Sequence, residues 1–438
     1  MCIMPGLYYE LTSDNTGSGS AFVINQVSDT SDNPVTPFTD ENFTPSLSRD
    51  GKRLAFVSSA NPVGSNPDGS FEVFTADLST APPTISQLMD SADATTGSAF
   101  PVLSDDGSTI VFPSNADLLG TNADGNVELF SVNFDGTNLR QLTFSSTGTN
   151  GPFVAASGTL LNLQGLTING DGSVIVFTST APLGGRTDTA QELFAIAADG
   201  TNLRQLTSDT GGDPNLAITG VSVDESGVFV AFSSTADYTG GNGFNTPQIF
   251  TINTDGTNLQ QVTSFSQTSC PDGGGTLCIG TSITPTVSDY GNRIGFLQLL
   301  INIDNLMEPA LLNTVPFIVN ADGSGRRQLF SAGSLNVSCS PVGLSQDGGR
   351  AAFGCVDTAV QQTQVYINNA QGDGLQKVTS AFPGAGLAAP PSIDDAGITI
   401  AFAAAANLTG NNADGNSEIF VAVLSATSAI GAVNLENP

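Results

Sequence analysis

The sequence predicts an all-β fold: a seven-bladed β-propeller of four-stranded antiparallel blades, closed by an N-terminal strand. Three recurrences carry this expectation. A strand ending in an aromatic follows a tight turn at Phe56, Phe112, Phe177, Phe232, Phe296, Phe353 and Phe402. A second aromatic-bearing strand follows each, at Phe74, Phe130, Phe194, Phe250, Phe317, Tyr366 and Phe420. A Gln-Leu/Val phrase, usually completed by Thr, then centres on Leu88, Leu142, Leu206, Val262, Leu329 and Val378.

A period of about 58 residues built from strand-length segments is the mark of a repeat architecture, in which each supersecondary unit stacks on the next. Seven units use nearly all of the 438 residues, so one closed body is expected. Residues 1–20 read as a tail or an extra strand. Residues 21–30, AFVINQVSDT, carry the third phrase with no unit before them. The last unit, Pro391 to Leu424, lacks that phrase. Pairing the two would finish the last blade, leave residues 21–424 as one ring, and remove exposed sheet edges that invite aggregation. Residues 425–438 read as a C-terminal tail.

Within a unit the first hairpin turns on Asp50-Gly51, Asp106-Gly107, Asp171-Gly172, Ser226-Gly227, Tyr290-Gly291, Asp347-Gly348 or Ala396-Gly397. Glycine accepts the positive φ that such turns require. The last hairpin turns on Asp135-Gly136, Asp199-Gly200, Asp255-Gly256 and Asp322-Gly323. Both sets belong on one rim, and the longer, variable connections share the other. There the stretch 297–315, LQLLINIDNLMEPALLNTV, reads as the most apolar loop, with a second apolar insertion around Phe153. Variable loops on a rigid scaffold are where partners dock. Leu299, Leu300, Leu306, Met307, Leu311 and Phe153 are therefore the candidate partner-binding residues.

The formal charge of −30 arises from 41 acidic and only 11 basic residues. Such a field repels nucleic acid and anionic lipid, which excludes those partners. No apolar run is long enough to span a membrane. Histidine is absent, which removes Ser-His-Asp and Cys-His nucleophiles and imidazole metal sites.

Two features point to site chemistry. The loops NPDGSFEVF (66–74), NADGNVELF (122–130) and NADGNSEIF (412–420) place oxygen donors at alternate positions around a glycine turn. Ca²⁺ coordination needs such a set, from Asp68 and Glu72; Asp124, Asn126 and Glu128; and Asp414, Asn416 and Glu418. The competing reading is a turn whose Asp and Asn bond the local backbone. Cys339 and Cys355 flank Asp347-Gly348 symmetrically, so antiparallel pairing would set them face to face within disulfide reach. Cys270 and Cys278 bracket a glycine loop as a second candidate pair, and Cys2 is left over. Two local disulfides imply a periplasmic, cell-surface or extracellular location. Asn42, Asn336 and Asn407 head glycosylation sequons.

The segment PSLSRDGKRLAF (45–56), with its Gln-Leu-Thr endings, resembles the PD40 or WD40-like repeat of TolB-type propellers over roughly residues 21–424. That resemblance implies a periplasmic or extracellular protein that acts mostly by binding other proteins. The tryptophan usual in the first strand of that repeat is missing throughout. The leading expectation is thus a non-catalytic propeller that binds a protein or a surface polymer through its variable-loop rim. One alternative is a subunit of an extracellular assembly, self-associating through its termini. The other is an enzyme acting on polysaccharide, weighed down because no acidic pair stands outside the repeated turns.

Overall fold

Seven aromatic pairs decide how the strands meet. The two aromatics of each unit are direct cross-strand partners, from Phe56↔Phe74 and Phe112↔Phe130 through Phe353↔Tyr366 to Phe402↔Phe420. Their rings stack at centroid separations of 5.6 to 6.0 Å. Twelve phenylalanines in these pairs are fully buried. Truncating one to alanine costs on the order of 3–5 kcal/mol, so each pair is a core in itself.

The computed structural model describes residues 22–30, 42–91, 96–154, 160–161, 164–187, 189–208, 217–243, 245–264, 268–269, 277–302, 310–330, 337–384, 387 and 389–425. Among them the fold is all-β, with a single 3₁₀ turn at Leu183–Gly185. The units of Phe56, Phe112, Phe177, Phe232 and Phe402 are separate four-stranded antiparallel sheets. Those of Phe296 and Phe353 join in one eleven-stranded sheet. The join is the strand Val337–Cys339, which runs parallel to Ala310–Asn320 at Thr314↔Ser338 and antiparallel to Arg350–Asp357.

The N-terminal strand Phe22–Gln26 pairs with the last strand, Glu418–Leu424, with Phe22 opposite Leu424 and Gln26 opposite Phe420. Val27 is buried and donates its N–H to Ile419 O at 2.7 Å. This borrowed strand supplies the phrase that the last unit lacks.

Buried hydrogen bonds explain why that phrase recurs. The Thr hydroxyl of each Gln-Leu-Thr accepts the backbone N–H that opens the neighbouring strand: Thr143 from Leu129, Thr207 from Leu193, Thr263 from Ile249 and Thr379 from Val365, at 2.8–3.0 Å. In the last unit Ser28 does the same for Ile419 at 2.9 Å. The phrase's Gln turns back onto the carbonyl two residues on, as Gln141 does to Thr143 at 2.9 Å.

The first-hairpin glycines all take the expected left-handed conformation, from Gly51 at φ 69° to Gly397 at 64°. Cys339 lies opposite Cys355 and is disulfide-bonded to it. Two expectations change. The described flanks of the apolar stretch after Phe296 are strands, not loop: Arg293–Asn302 pairs with Ala310–Asn320, setting Leu299 against Thr314, Leu300 against Asn313 and Ile301 against Leu311. The two strands lengthen the ladder of that unit beyond the Phe296↔Phe317 pair. The sequon at Asn42 is also unusable as a surface site, because Asn42 is fully buried and donates to Thr30 Oγ1 and Ser417 O.

Candidate active site at the inner-strand turns

Each innermost strand ends in a hydroxyl or Asx residue, one variable residue, and the turn that opens the first hairpin. In the first unit Ser48 Oγ donates to Asp50 Oδ1 and accepts from Arg53 N at 2.9 Å, which locks the turn. The same lock recurs at Ser104 with Asp106 and Thr109, at Asn169 with Asp171 and Val174, and at Ser345 with Asp347 and Arg350. These local bonds hold the variable residue, which is Arg49, Asp105, Gly170, Glu225, Asp289, Gln346 or Asp395 from the first unit to the seventh.

Backbone bonds join these variable positions from unit to unit. Arg49 N donates to Asp105 O at 2.8 Å, Gly170 N to Glu225 O at 3.2 Å, Glu225 N to Asp289 O at 3.0 Å and Asp395 N to Arg49 O at 3.1 Å. Next to them, Asp106 N bonds Gly170 O and Tyr290 N bonds Gln346 O. The side chains converge accordingly. Arg49 forms ion pairs with Glu225 through Nη1 and with Asp395 through Nε, linking the first unit to the fourth and the seventh. A Cβ at Gly170 would stand 2.6 Å from Glu225 Cγ and 3.0 Å from Asp105 Oδ2, so those carboxylates occupy the space a side chain there would need.

All seven innermost strands border one cavity of about 270 Å³, and Asp105 and Asp289 stand among its lining residues. Their electrostatics are unlike those of the turn aspartates beside them. Burial, with the nearby charges of Asp395 and Glu225, raises the Asp105 carboxyl to about 6 against the pull of Arg49. Burial, with the charges of Asp105 and Asp395, raises Asp289 to about 8. Burial also pushes Asp395 up, against its bond to Arg49, and Asp289 and Asp395 are hydrogen-bonded to each other. Two close carboxylates cannot both ionise cheaply, so they share one proton, held on Asp289. Arg49 stays charged because its bonds to Asp395 and Glu225 outweigh its burial.

The glutamates of the Asn-x-Asp-Gly loops sit elsewhere, inside the blades. Glu418 is fully buried; its Oε1 accepts from Thr30 N and Oγ1 at 2.7 Å, and its Oε2 from Ser28 Oγ and from Asn42 Nδ2 at 3.2 Å. Glu128 accepts from Thr143 Oγ1, from Ser145 N and Oγ, and from Asn150 Nδ2. Glu72 accepts from Ser70 Oγ and from Ser91 N and Oγ. Asp68 Oδ1 accepts from Ser70 Oγ at 3.0 Å, while Asp124 and Asp414 are exposed. Asn126 and Asn416 spend their amides on Ser145 and Thr30. Among the described residues no three of Asp, Glu and Cys gather where an ion could sit.

Of the partner-binding candidates, Leu299 is half-buried and packs on the core around Phe353. Leu300, Leu311 and Phe153 are strand residues, and Phe153 pairs with Leu161. Leu306, Met307, Cys270 and Cys2 lie outside the described residues, so the Cys270–Cys278 pairing does too.

The sequence reading passed over Arg49, Asp105, Glu225, Asp289 and Asp395 because it filed the whole turn as scaffold. With the seven turns aligned, the preceding position is always Ser, Asn or Asp and Gly always follows two residues on, while this column runs Arg, Asp, Gly, Glu, Asp, Gln, Asp and carries a charge in five units.

No protein-family model matches the chain, and no curated protein sequence does either. Solved structures do. An oligogalacturonate lyase from Vibrio parahaemolyticus matches with a TM-score of 0.57 at 14% identity, over 93% of this chain and 98% of its own. An oligogalacturonate lyase in complex with manganese matches with a TM-score of 0.55 at 14% identity, over 93% and 96%. A puromycin-hydrolysing peptidase of Mycobacterium tuberculosis matches with a TM-score of 0.52 at 14% identity, and this chain spans about half of it, 49%. The likeness is one of propeller fold.

These neighbours correct the expectation of a non-catalytic docking disc. The Vibrio lyase is matched over 98% of its own length, so a propeller of this extent can be an enzyme by itself. The alternative of an enzyme acting on polysaccharide moves ahead of the binding reading. One neighbour is in complex with manganese; here, among the described residues, no three acidic or cysteine side chains gather to hold an ion, and Glu225 and Asp395 are paired with Arg49. No metal therefore enters the chemistry below.

Proposed function

We propose that this chain is an enzyme that cleaves glycosidic bonds of a polysaccharide with its axial carboxylates. One observation carries the reading: Asp105 and Asp289 border the same cavity, with their proton affinities pushed up to about 6 and about 8. Two titratable groups set at different values in one site are the arrangement that acid–base cleavage requires. Near neutral pH Asp289 holds its proton and Asp105 is ionised.

Asp289 donates its proton to the glycosidic oxygen as the bond to the anomeric carbon breaks. Asp105 takes a proton from the water whose oxygen bonds that carbon. The water's hydroxyl stays on the sugar, and solvent returns the proton from Asp105 to Asp289. Arg49 steadies the negative charge that Asp289 acquires beside Asp395. Acid–base assistance of this kind contributes about 10²–10⁴-fold.

The turn-and-phrase order of the repeat supports kinship with the PD40 repeats of TolB-type propellers. The Cys339–Cys355 bridge supports an oxidising location, periplasmic or outside the cell. The test is product analysis on a panel of polysaccharides with the wild-type chain, Asp289→Asn and Asp105→Asn. The reading expects new chain ends, each product heavier by one water, and loss of turnover in both variants with the fold retained. Turnover that survives both substitutions would sink it, and an unsaturated uronide product would replace hydrolysis by elimination.

A further inference from the structure

The third unit presents no side chain in the axial column, and that gap decides how far a carboxylate from the fourth can reach. Six units place a polar side chain there, and Gly170 places none. Backbone bonds fix the order of the neighbours: Arg49 is joined to Asp105, Asp106 to Gly170, and Gly170 to Glu225. The ion pair between Arg49 and Glu225 therefore spans the two positions between them, Asp105 and Gly170. A Cβ on Gly170 would stand 2.6 Å from Glu225 Cγ, 3.0 Å from Asp105 Oδ2 and 3.2 Å from Glu225 O. Glu225 thus lies over Gly170 on its way to Arg49.

Backbone freedom does not explain the glycine. The turn glycine beside it, Gly172, stands at φ 73°, but Gly170 is outside the left-handed region that demands glycine. What Gly170 supplies is space. A methyl group there meets the Glu225 side chain first, and that side chain, 35% exposed, can swing aside without opening the core. What it gives up by moving is its bond to Arg49. Asp105 is sensitive to that bond. Burial raises its carboxyl, the charges of Asp395, Glu225 and Asp106 add to the rise, and Arg49 opposes them. Asp289 is a further carboxyl close enough to feel the Asp105 charge. Asp105 itself takes no part in either ion pair of Arg49.

We propose that Gly170 and Glu225 are positioning residues: the bare position in the third unit lets Glu225 of the fourth reach Arg49 of the first, which commits the guanidinium to Glu225 and Asp395 and leaves Asp105 free to exchange a proton at the cavity. The consequence for turnover rests on the acid–base reading above; the arrangement itself does not. Glu225 acts on Asp105 in two ways, through its own charge and by occupying the cation that would otherwise turn toward Asp105. Moving or neutralising Glu225 therefore makes Asp105 the stronger acid.

The test is a ¹³C carboxyl titration of Asp105 in the wild-type chain, Gly170→Ala, Glu225→Gln and the double variant. Asp105 should move from about 6 to about one pH unit lower in each single variant, with Asp289 staying near 8. The double variant should fall no further than Glu225→Gln alone, because the two residues act through one contact. On a polysaccharide that is cleaved, the acid limb of the turnover profile should move down with Asp105 while the alkaline limb stays. Asp105 unmoved in either single variant, or effects that add in the double, overturn the proposal. A Gly170→Ala chain that does not fold overturns it as well, since the backbone rather than Glu225 would then be what the methyl displaces. If no polysaccharide is cleaved, the enzyme reading fails and the titration decides the positioning role by itself.

Discussion

Glu418 and Asp289 are both carboxylates withdrawn from water, and the protein treats them in opposite ways. Glu418 is ringed by donors: two hydroxyls, a backbone N–H and an amide converge on its two oxygens. Asp289 faces other carboxylates across an open cavity and meets its positive neighbour only through Asp395. Burial raises the proton affinity of both, but hydroxyl and backbone bonds hold Glu418 back, whereas like charges drive Asp289 further up. A carboxylate supplied with donors is part of the framework; one left beside its own kind in a cavity is equipped to move a proton.

The framework side of this contrast should give the largest effect. Glu418→Ala leaves the Ser28 hydroxyl and the Thr30 N–H and hydroxyl without an acceptor. Each such loss costs about 1–3 kcal/mol, so denaturant unfolding should show a deficit of roughly 3–6 kcal/mol. Because those donors tie the N-terminal strand to the last blade, hydrogen exchange should rise first in residues 22–27. A deficit under about 1 kcal/mol would mean that water replaces Glu418 freely.

Next in size is the axial side. Asp289→Asn should lower turnover about 10²–10⁴-fold while stability stays level or improves, since a strained proton is removed. Comparable losses of stability and activity together would make Asp289 a framework residue after all.

Solution pH should separate the two classes further. The folded chain holds protons on Asp105 and Asp289 at pH values where the unfolded chain, with carboxyls near 3.8, has released them. Their contribution to stability is therefore complete below about pH 4 and is lost as pH rises through about 6 and then about 8. Turnover should peak between those two values, falling on the acid side as Asp105 gains its proton and on the alkaline side as Asp289 loses its own. Asp289→Asn should erase the alkaline part of the stability loss.

The smallest effect expected is at Glu418→Gln, under about 1 kcal/mol in the same unfolding assay. Gln248 already holds this place in the fourth unit, where its Oε1 accepts from Thr263 Oγ1 at 2.9 Å. An amide oxygen thus suffices for the framework role, and a large deficit would contradict the equivalence of the units.

The same contrast explains what could be read beforehand. The aromatic registers, the Gln-Leu-Thr phrase and the borrowed strand near Val27 were legible because each leaves a local, repeated trace. Cys339 and Cys355 could be matched because their spacing about Asp347-Gly348 fixes the register. The site was not legible in that way. Asp105 and Asp289 are 184 positions apart, and only the packing of the innermost strands around it brings them to one cavity. Repetition drew Glu72, Glu128 and Glu418 as ligands, yet in the structure each spends its carboxylate on hydroxyl and backbone donors inside its own blade. Leu299, Leu300 and Leu311 read as loop residues because an apolar run does not distinguish a loop from a strand.

The most direct test is a side-chain carboxyl titration of the wild-type protein by ¹³C NMR, which needs no substrate. The account predicts that Asp289 titrates at about 8 and Asp105 at about 6, while the turn aspartates Asp106 and Asp171, held by hydroxyl and backbone donors, titrate below the ordinary value. Ordinary values for both Asp105 and Asp289 would contradict it.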